Sequence, residues 1–257
     1  MKSSESKEEN LKKSIELIGE ASEKKAGLVC FPEFQMAFSP ASQSAEELSE
    51  IAESLTGSFV KGLSNAASKY KLGVVATLYE KSKTLRVYDT AVVLNPSGAI
   101  ASSYRKLHLY DALGFKESAK LISGKKIEKP VKTKSGKLGL MICYDIRFPE
   151  ISRILAIGGA ETLVAPSAWV RGNMKEEHWQ VMVKARAIEN GVYVIAPDQV
   201  GNIYCGRSMV TDPFGIVLAD MGQKEGLEVV DLDSARIKQV RQSLPLLKNR
   251  RTDVYEL

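Results

Sequence analysis

The chain has 257 residues, 44% of them hydrophobic and 26% charged, which is enough to bury a sizeable core in one large domain. Its net charge of +5 comes from 36 basic and 31 acidic residues interspersed along the chain, without the basic patch or stripe that nucleic-acid binders concentrate. No apolar run reaches the roughly 18 residues of a membrane span, and the polar start Met1-Lys2-Ser3-Ser4-Glu5 lacks a signal-peptide core, so the expectations are a cytoplasmic location, no membrane and no nucleic acid.

From Asn10 to Lys25, Leu11, Ile15, Leu17 and Ile18 recur at helical spacing, which predicts an amphipathic helix. Gly27 to Glu33 reads as a short buried strand ending at Pro32. A second helix is predicted over Ala45 to Tyr70, with a break near Gly57. Strands follow at Gly73 to Tyr79, Tyr88 to Asn95 and Ile100 to Tyr104, the last two joined by the turn Asn95-Pro96-Ser97-Gly98. Leu107 to Lys126 reads as loop, and Lys137 to Cys143 as a strand with an almost continuous apolar run. Pro149 to Gly158 is a predicted helix stopped by Gly158-Gly159. Next come a strand at Thr162 to Ala165, a helix from Met174 to Asn190 and a strand at Val192 to Pro197. Strands at Gly206 to Thr211 and Gly215 to Ala219 flank Asp212-Pro213-Phe214-Gly215, then a last strand at Glu225 to Asp231 and a helix at Ser234 to Gln242. Strands and helices alternate without a linker, which predicts a single α/β domain over residues 1–257.

Function in layered α/β folds collects at the carboxyl ends of strands. Three polar residues stand at such ends. Glu33 follows Leu28-Val29-Cys30-Phe31-Pro32 and is a candidate base, with a solvated loop residue as the plainer reading. Lys106 follows the strand ending at Tyr104 and is a candidate oxyanion stabiliser, or a basic surface turn. Cys143 stands where a strand delivers it to Tyr144-Asp145-Ile146-Arg147-Phe148-Pro149, a strand-to-helix turn that presents a nucleophile. A helix N-terminus and nearby cations would lower its pKa. The three cysteines are odd in number and widely spaced, forming neither a disulfide framework nor a zinc pattern. Cys30, mid-run in an apolar strand, fits a structural thiol better than Cys143 does. His108 and His178 have no triad partner at a known spacing and read as structural. Together, Glu33, Lys106 and Cys143 supply a base, an oxyanion stabiliser and a nucleophile, the minimum for acyl transfer from an amide.

These segments resemble the nitrilase superfamily of carbon–nitrogen hydrolases, and within it the Nit-type amidases. The resemblance is carried by Leu28 to Glu33, Tyr104 to Leu109, Cys143-Tyr144-Asp145-Ile146-Arg147-Phe148-Pro149-Glu150, Ala185 to Asn190, Gly206 to Pro213 and Arg250 to Tyr255, in the same order as in the family. It implies the family's α-β-β-α sandwich and a catalytic set of Glu33, Lys106 and Cys143, with Glu117 as a second glutamate orienting Lys106 or the substrate. It implies no metal or organic cofactor, a homodimer formed through an outer helix, and hydrolysis of a small amide by water through a Cys143 thioester. The branch includes ω-amidases and amidases of deaminated glutathione, whose substrates carry carboxylates. Tyr144, through its backbone N–H, and Trp169, as a wall, are the expected substrate contacts. Arg171 is the expected cation for the carboxylate, equally readable as a solvated loop residue. Arg147 is expected to be tied to a carboxylate near the nucleophile turn.

Two positions depart from the family pattern. The sequence begins where the family's first strand would end: either its numbering starts late or the chain lacks a core strand, and the second case would expose the edge of a neighbouring strand. Arg207 stands where the branch usually carries His, a position expected to be structural. Tyr144-Asp145 after the nucleophile, in place of the Trp-Glu of nitrilases, favours amide over nitrile hydrolysis. An N-carbamoyl-amine amidohydrolase, a nitrilase and a non-catalytic binding scaffold are the competing expectations.

Overall fold

The structure is a computed structural model and describes residues 1–255. Two β-sheets face one another. The first has four strands: β1 (Leu28–Cys30), β2 (Gly73–Glu80), β3 (Tyr88–Leu94) and β4 (Ile100–Arg105), in that order. The second is built from β5 (Val131–Thr133), β6 (Gly136–Leu140), β7 (Thr162–Val164), β8 (Tyr193–Ala196), β9 (Met209–Thr211) and β10 (Val217–Asp220). Its strands lie in the order β10-β9-β8-β7-β6-β5. β1–β2, β6–β7 and β7–β8 are parallel, and the other pairs are antiparallel.

The side-chain alternation of a strand makes the layers. Val75, Ala91 and Val93 point from the first sheet into the core shared with the second. Their neighbours Val74, Ala76, Val92 and Leu94 point the other way, into a second core. Helices α1 (Lys7–Glu23), α2 (Ala45–Ile51) and α3 (Ser58–Tyr70) send Ile18, Leu48 and Leu63 into that outer core. On the far side, α4 (Pro149–Ile157) and α5 (Lys175–Asn190) bury Leu155, Trp179 and Val183 against the second sheet. The result is the expected α-β-β-α sandwich, followed by α6 (Ser234–Ser243).

Local signals set the helix ends. Ser6 and Ser44 accept from the amides of Glu9 and Glu47, and Ser44 forms a reciprocal capping box. Pro149 starts α4, and Gly191, at φ +57°, ends α5. The predicted break near Gly57 divides Ala45 to Tyr70 into two helices. Glu53, between them, accepts from the Phe59 amide at 2.8 Å, and a Cβ at Gly57 would lie 2.2 Å from its carboxylate.

One expectation is corrected, and one strand is added to those expected. Glu225 to Asp231, expected as a strand, pairs with none among the described residues, because a cavity separates it from the free edge of β1. Instead Gly226 to Leu232 border a cavity of about 800 Å³ beside β1, whose only strand partner among the described residues is β2. Val131–Thr133, flanked by lysines, forms a short strand that its composition does not announce. Among the described residues no helix is long and apolar enough to cross a membrane.

Candidate active site

The apolar strand β6 runs on through Met141 and Ile142 to Cys143, where the chain turns sharply. Cys143 has φ +44°, a left-handed conformation that costs a non-glycine residue on the order of 1–2 kcal/mol. It opens a short 3₁₀ turn, Cys143–Arg147, and its amide donates to the Pro166 carbonyl at 2.8 Å, beyond the end of β7. The thiol is therefore held at the ends of two parallel strands.

Asp145 holds this turn to the segment that carries Lys106. Its fully buried carboxylate accepts from the Tyr104 hydroxyl at 2.6 Å and the Ile142 amide at 2.9 Å. It also accepts from the His108 amide at 3.0 Å, and His108 Nδ1 lies 2.7 Å away. His108 stacks on Phe148 with ring centroids 3.7 Å apart. Both contacts give it the structural role expected from the sequence.

Glu33 and Lys106 leave opposite edges of the first sheet and meet in its interior. Lys106 Nζ donates to Glu33 Oε1 at 2.7 Å and to Glu117 Oε1 and Oε2 at 3.0 and 2.8 Å. Glu33 Oε2 accepts from the Ala168 amide at 2.8 Å, and Glu117 Oε2 from the Tyr110 amide at 2.7 Å. Glu33 and Lys106 are both 0% exposed. Burial works against the Lys106 charge, but Glu117 and Glu33 outweigh it and hold the ammonium above its ordinary range. Burial raises the Glu117 carboxyl, and Lys106 opposes that rise.

The Cys143 thiol is also pushed well above its usual value, first by burial and then by the Glu33 charge, with Lys106 pulling the other way. This reverses the expectation that cations and a helix terminus lower it. Desolvation wins because the 3₁₀ turn is too short to supply much dipole. The resting thiol keeps its proton, so attack needs a base. Cys30 and Cys205 are raised as well, Cys30 to about 12, by burial.

A cavity of about 380 Å³ opens on Cys143 and Glu117. Tyr144 and Trp169 line it, as expected, together with Tyr110 and Phe115. Arg171 does not line it: the residue is exposed, fixed by its amide to the Ile203 carbonyl at 2.8 Å. The cavity's buried cation is Lys175, at the start of α5. It is 5% exposed, with Nζ 3.0 Å from the Tyr110 hydroxyl and 4.8 and 4.7 Å from the Trp169 and Tyr110 ring centroids. No carboxylate pairs with it among the described residues. In the sequence Lys175 reads as one more charge on a helix start, and no pattern there distinguishes it.

Arg147 is likewise not tied to a carboxylate; its guanidinium lies over the Trp169 ring at 4.5 Å. Arg207 pairs with Asp220, and its carbonyl accepts from Trp179 Nε1 at 2.8 Å, in keeping with a structural position. Arg186 Nε donates to the Ile146 carbonyl at 2.7 Å, fastening α5 to the nucleophile turn.

A family model described as carbon-nitrogen hydrolase matches residues 1–242. The deaminated glutathione amidase of Escherichia coli O157:H7 is 35% identical over 244 residues, covering 95% of this chain and 92% of its own length. The NitFhit protein of C. elegans superposes with a TM-score of 0.90 at 30% identity, over all of this chain and 64% of that longer protein. Saccharomyces cerevisiae Nit3, of branch 10 of the nitrilase superfamily, superposes at 0.85 with 32% identity, covering 97% of this chain and 93% of its own.

Proposed function

The chain belongs to the carbon–nitrogen hydrolase family, a hydrolase acting on non-peptide C–N bonds, and on that premise we propose that it is an amidase cleaving a small carboxylate-bearing amide at Cys143. The observation that carries this reading is the Lys106 ammonium held between Glu33 and Glu117 beside the Cys143 thiol at the cavity floor.

In this reading Glu33 removes the thiol proton as Sγ attacks the amide carbon. Lys106 and the Tyr144 N–H, which no acceptor among the described residues engages, stabilise the oxyanion; one such donor is worth about 10²–10³ in rate. Glu33 returns the proton to the departing nitrogen, the C–N bond breaks, and ammonia leaves a thioester on Cys143. Glu33 then takes a proton from water as its oxygen attacks, and gives that proton to Sγ as the C–S bond breaks, releasing the acid and restoring the thiol. Glu117 keeps Lys106 oriented. Lys175 takes the substrate carboxylate, the task expected of Arg171, while Tyr144 and Trp169 form walls.

The domain is read as single over residues 1–257 and as working in the cytoplasm, which its three free cysteines suit. It is read as a homodimer. Ile154 and Ile157 on α4 and Val181 and Ile188 on α5 expose an apolar outer face that supports pairing through helices. Light scattering of the purified chain tests that state. A panel of dicarboxylate monoamides, neutral amides, N-carbamoyl amines and nitriles, assayed for ammonia with wild type and Cys143→Ala, tests the chemistry. Ammonia release from Cys143→Ala equal to wild type would sink the proposal.

A further inference from the structure

A third carboxyl lies against the Glu33–Lys106–Glu117 set. Asp89 stands on β3, on the face it shares with Ala91 and Val93, directly opposite Tyr79 of β2. It is 1% exposed, and its carbonyl accepts from the Lys106 amide at 2.9 Å. Neither of its carboxyl oxygens is reached by a donor of another described residue. Its side-chain contact is the Glu33 carboxyl, itself an acceptor.

Two fully buried carboxyls, Asp89 and Glu33, thus share one ammonium with Glu117, which is part-exposed at the cavity. If all three were ionised, the set would hold two uncompensated charges around the fully buried pair, so at least one proton must remain. The hydrogen bonds say where. Glu33 has a donor on each oxygen, from Lys106 and Ala168. Glu117 has Lys106 on both oxygens and the Tyr110 amide on one. Asp89 has none, and two carboxyls in contact without a donor between them share a proton of their own.

We propose that Asp89 is held as a neutral carboxylic acid that donates a hydrogen bond to Glu33, and that this bond positions Glu33 to take the thiol proton of Cys143. The proton stays on Asp89 through the cycle; only the bond acts. The positioning role rests on the amidase reading, in which Glu33 is the base. The protonation of Asp89 does not. Burial first, then the Glu33 and Glu117 charges, push the Asp89 carboxyl well above its usual range, against the pull of Lys106. Tyr79, which faces it from β2 with a buried hydroxyl that has no partner, is raised first by burial and then by Tyr204 and Asp89.

The test uses the full chain labelled with carboxyl-13C aspartate. One resonance should report a protonated carboxyl at neutral pH, vanish in Asp89→Asn, and titrate at lower pH in Glu33→Gln, where the neighbouring charge is gone. A resonance assigned to Asp89 that is already ionised at neutral pH overturns the proposal. In turnover, Asp89→Asn keeps a donor that cannot ionise, whereas Asp89→Leu has none. The kcat of Asp89→Asn should exceed that of Asp89→Leu by about tenfold, the value of one hydrogen bond, with KM little changed between them. Its alkaline limb should lie above that of wild type. Equal kcat for the two variants overturns the positioning role. If the wild type turned over no amide, the amidase reading would fail, and the NMR signal would still decide the proton.

Discussion

Replacing Lys175 by Met separates substrate recognition from chemistry. Met keeps an unbranched apolar stem between the Trp169 and Tyr110 rings and removes only the ammonium. A carboxylate about 4 Å from that ammonium, at the effective dielectric of about 20 that suits such sites, gains about 4 kcal/mol of Coulomb energy. Desolvation of both groups takes back roughly half, leaving about 2 kcal/mol, in the range of a hydrogen bond to a charged group. Lys175 is 5% exposed, so solvent screening takes little more. The expected loss is therefore about 30-fold in kcat/KM for a dicarboxylate monoamide, mostly in KM. A neutral amide of equal length should lose only the few-fold that follows from altered packing. Steady-state ammonia release measures both substrates on both proteins. Equal losses for the two amides, or an unchanged KM for the anionic one, would refute Lys175 as the carboxylate anchor.

Because the resting thiol is protonated, alkylation of Cys143 by iodoacetamide should depend on Glu33, and Glu33→Gln should slow it well below wild type at neutral pH. Tyr104→Phe removes a buried hydroxyl that donates to Asp145 and accepts from the Leu107 amide at 3.2 Å, and should cost about 2 kcal/mol in urea unfolding. Gly124→Ala would bring a Cβ to 2.3 Å from the Arg105 carbonyl, displacing the strand end before Lys106, and should lower kcat. Asp89 has a raised folded pKa, so the stability it contributes is complete below its unfolded value of about 4 and is lost as pH rises through the folded one. Asp89→Asn, which cannot ionise, should therefore gain in Tm relative to wild type as pH is raised, and a constant difference would contradict the assignment.

What could be read in the sequence follows from where information is local. Cys143 and Glu33 each end an apolar run and Lys106 follows a strand, so their positions were legible before their partners were. The apolar, β-branched composition of β2 and β3 is also local, and the layers follow from the strands it makes. Asp89 was not legible: within Tyr88-Asp89-Thr90 it reads as a polar strand end, and what makes it unusual is a carboxyl 56 positions earlier in the chain. Lys175 likewise looks like helix-start charge until Tyr110, from a distant loop, meets its ammonium. Arg171 illustrates the reverse error. It follows a strand, but its amide is fixed to Ile203 and its side chain is left in solvent. The strand expected at Glu225 to Asp231 fails because local composition records a capacity to pair and says nothing of whether the segment is brought against an edge.

The left-handed backbone at Cys143 limits which side chains can serve there. A Cβ with one heavy substituent can occupy φ +44° at modest strain, so serine is admissible in place of cysteine. A β-branched residue in that region is a genuine outlier, so threonine is excluded by the fold before its reactivity is considered. In a library of all substitutions at this position, threonine should lower the yield of folded protein where serine lowers only turnover. The geometry of one turn therefore narrows the hydroxyl and thiol nucleophiles open to this scaffold from three to two.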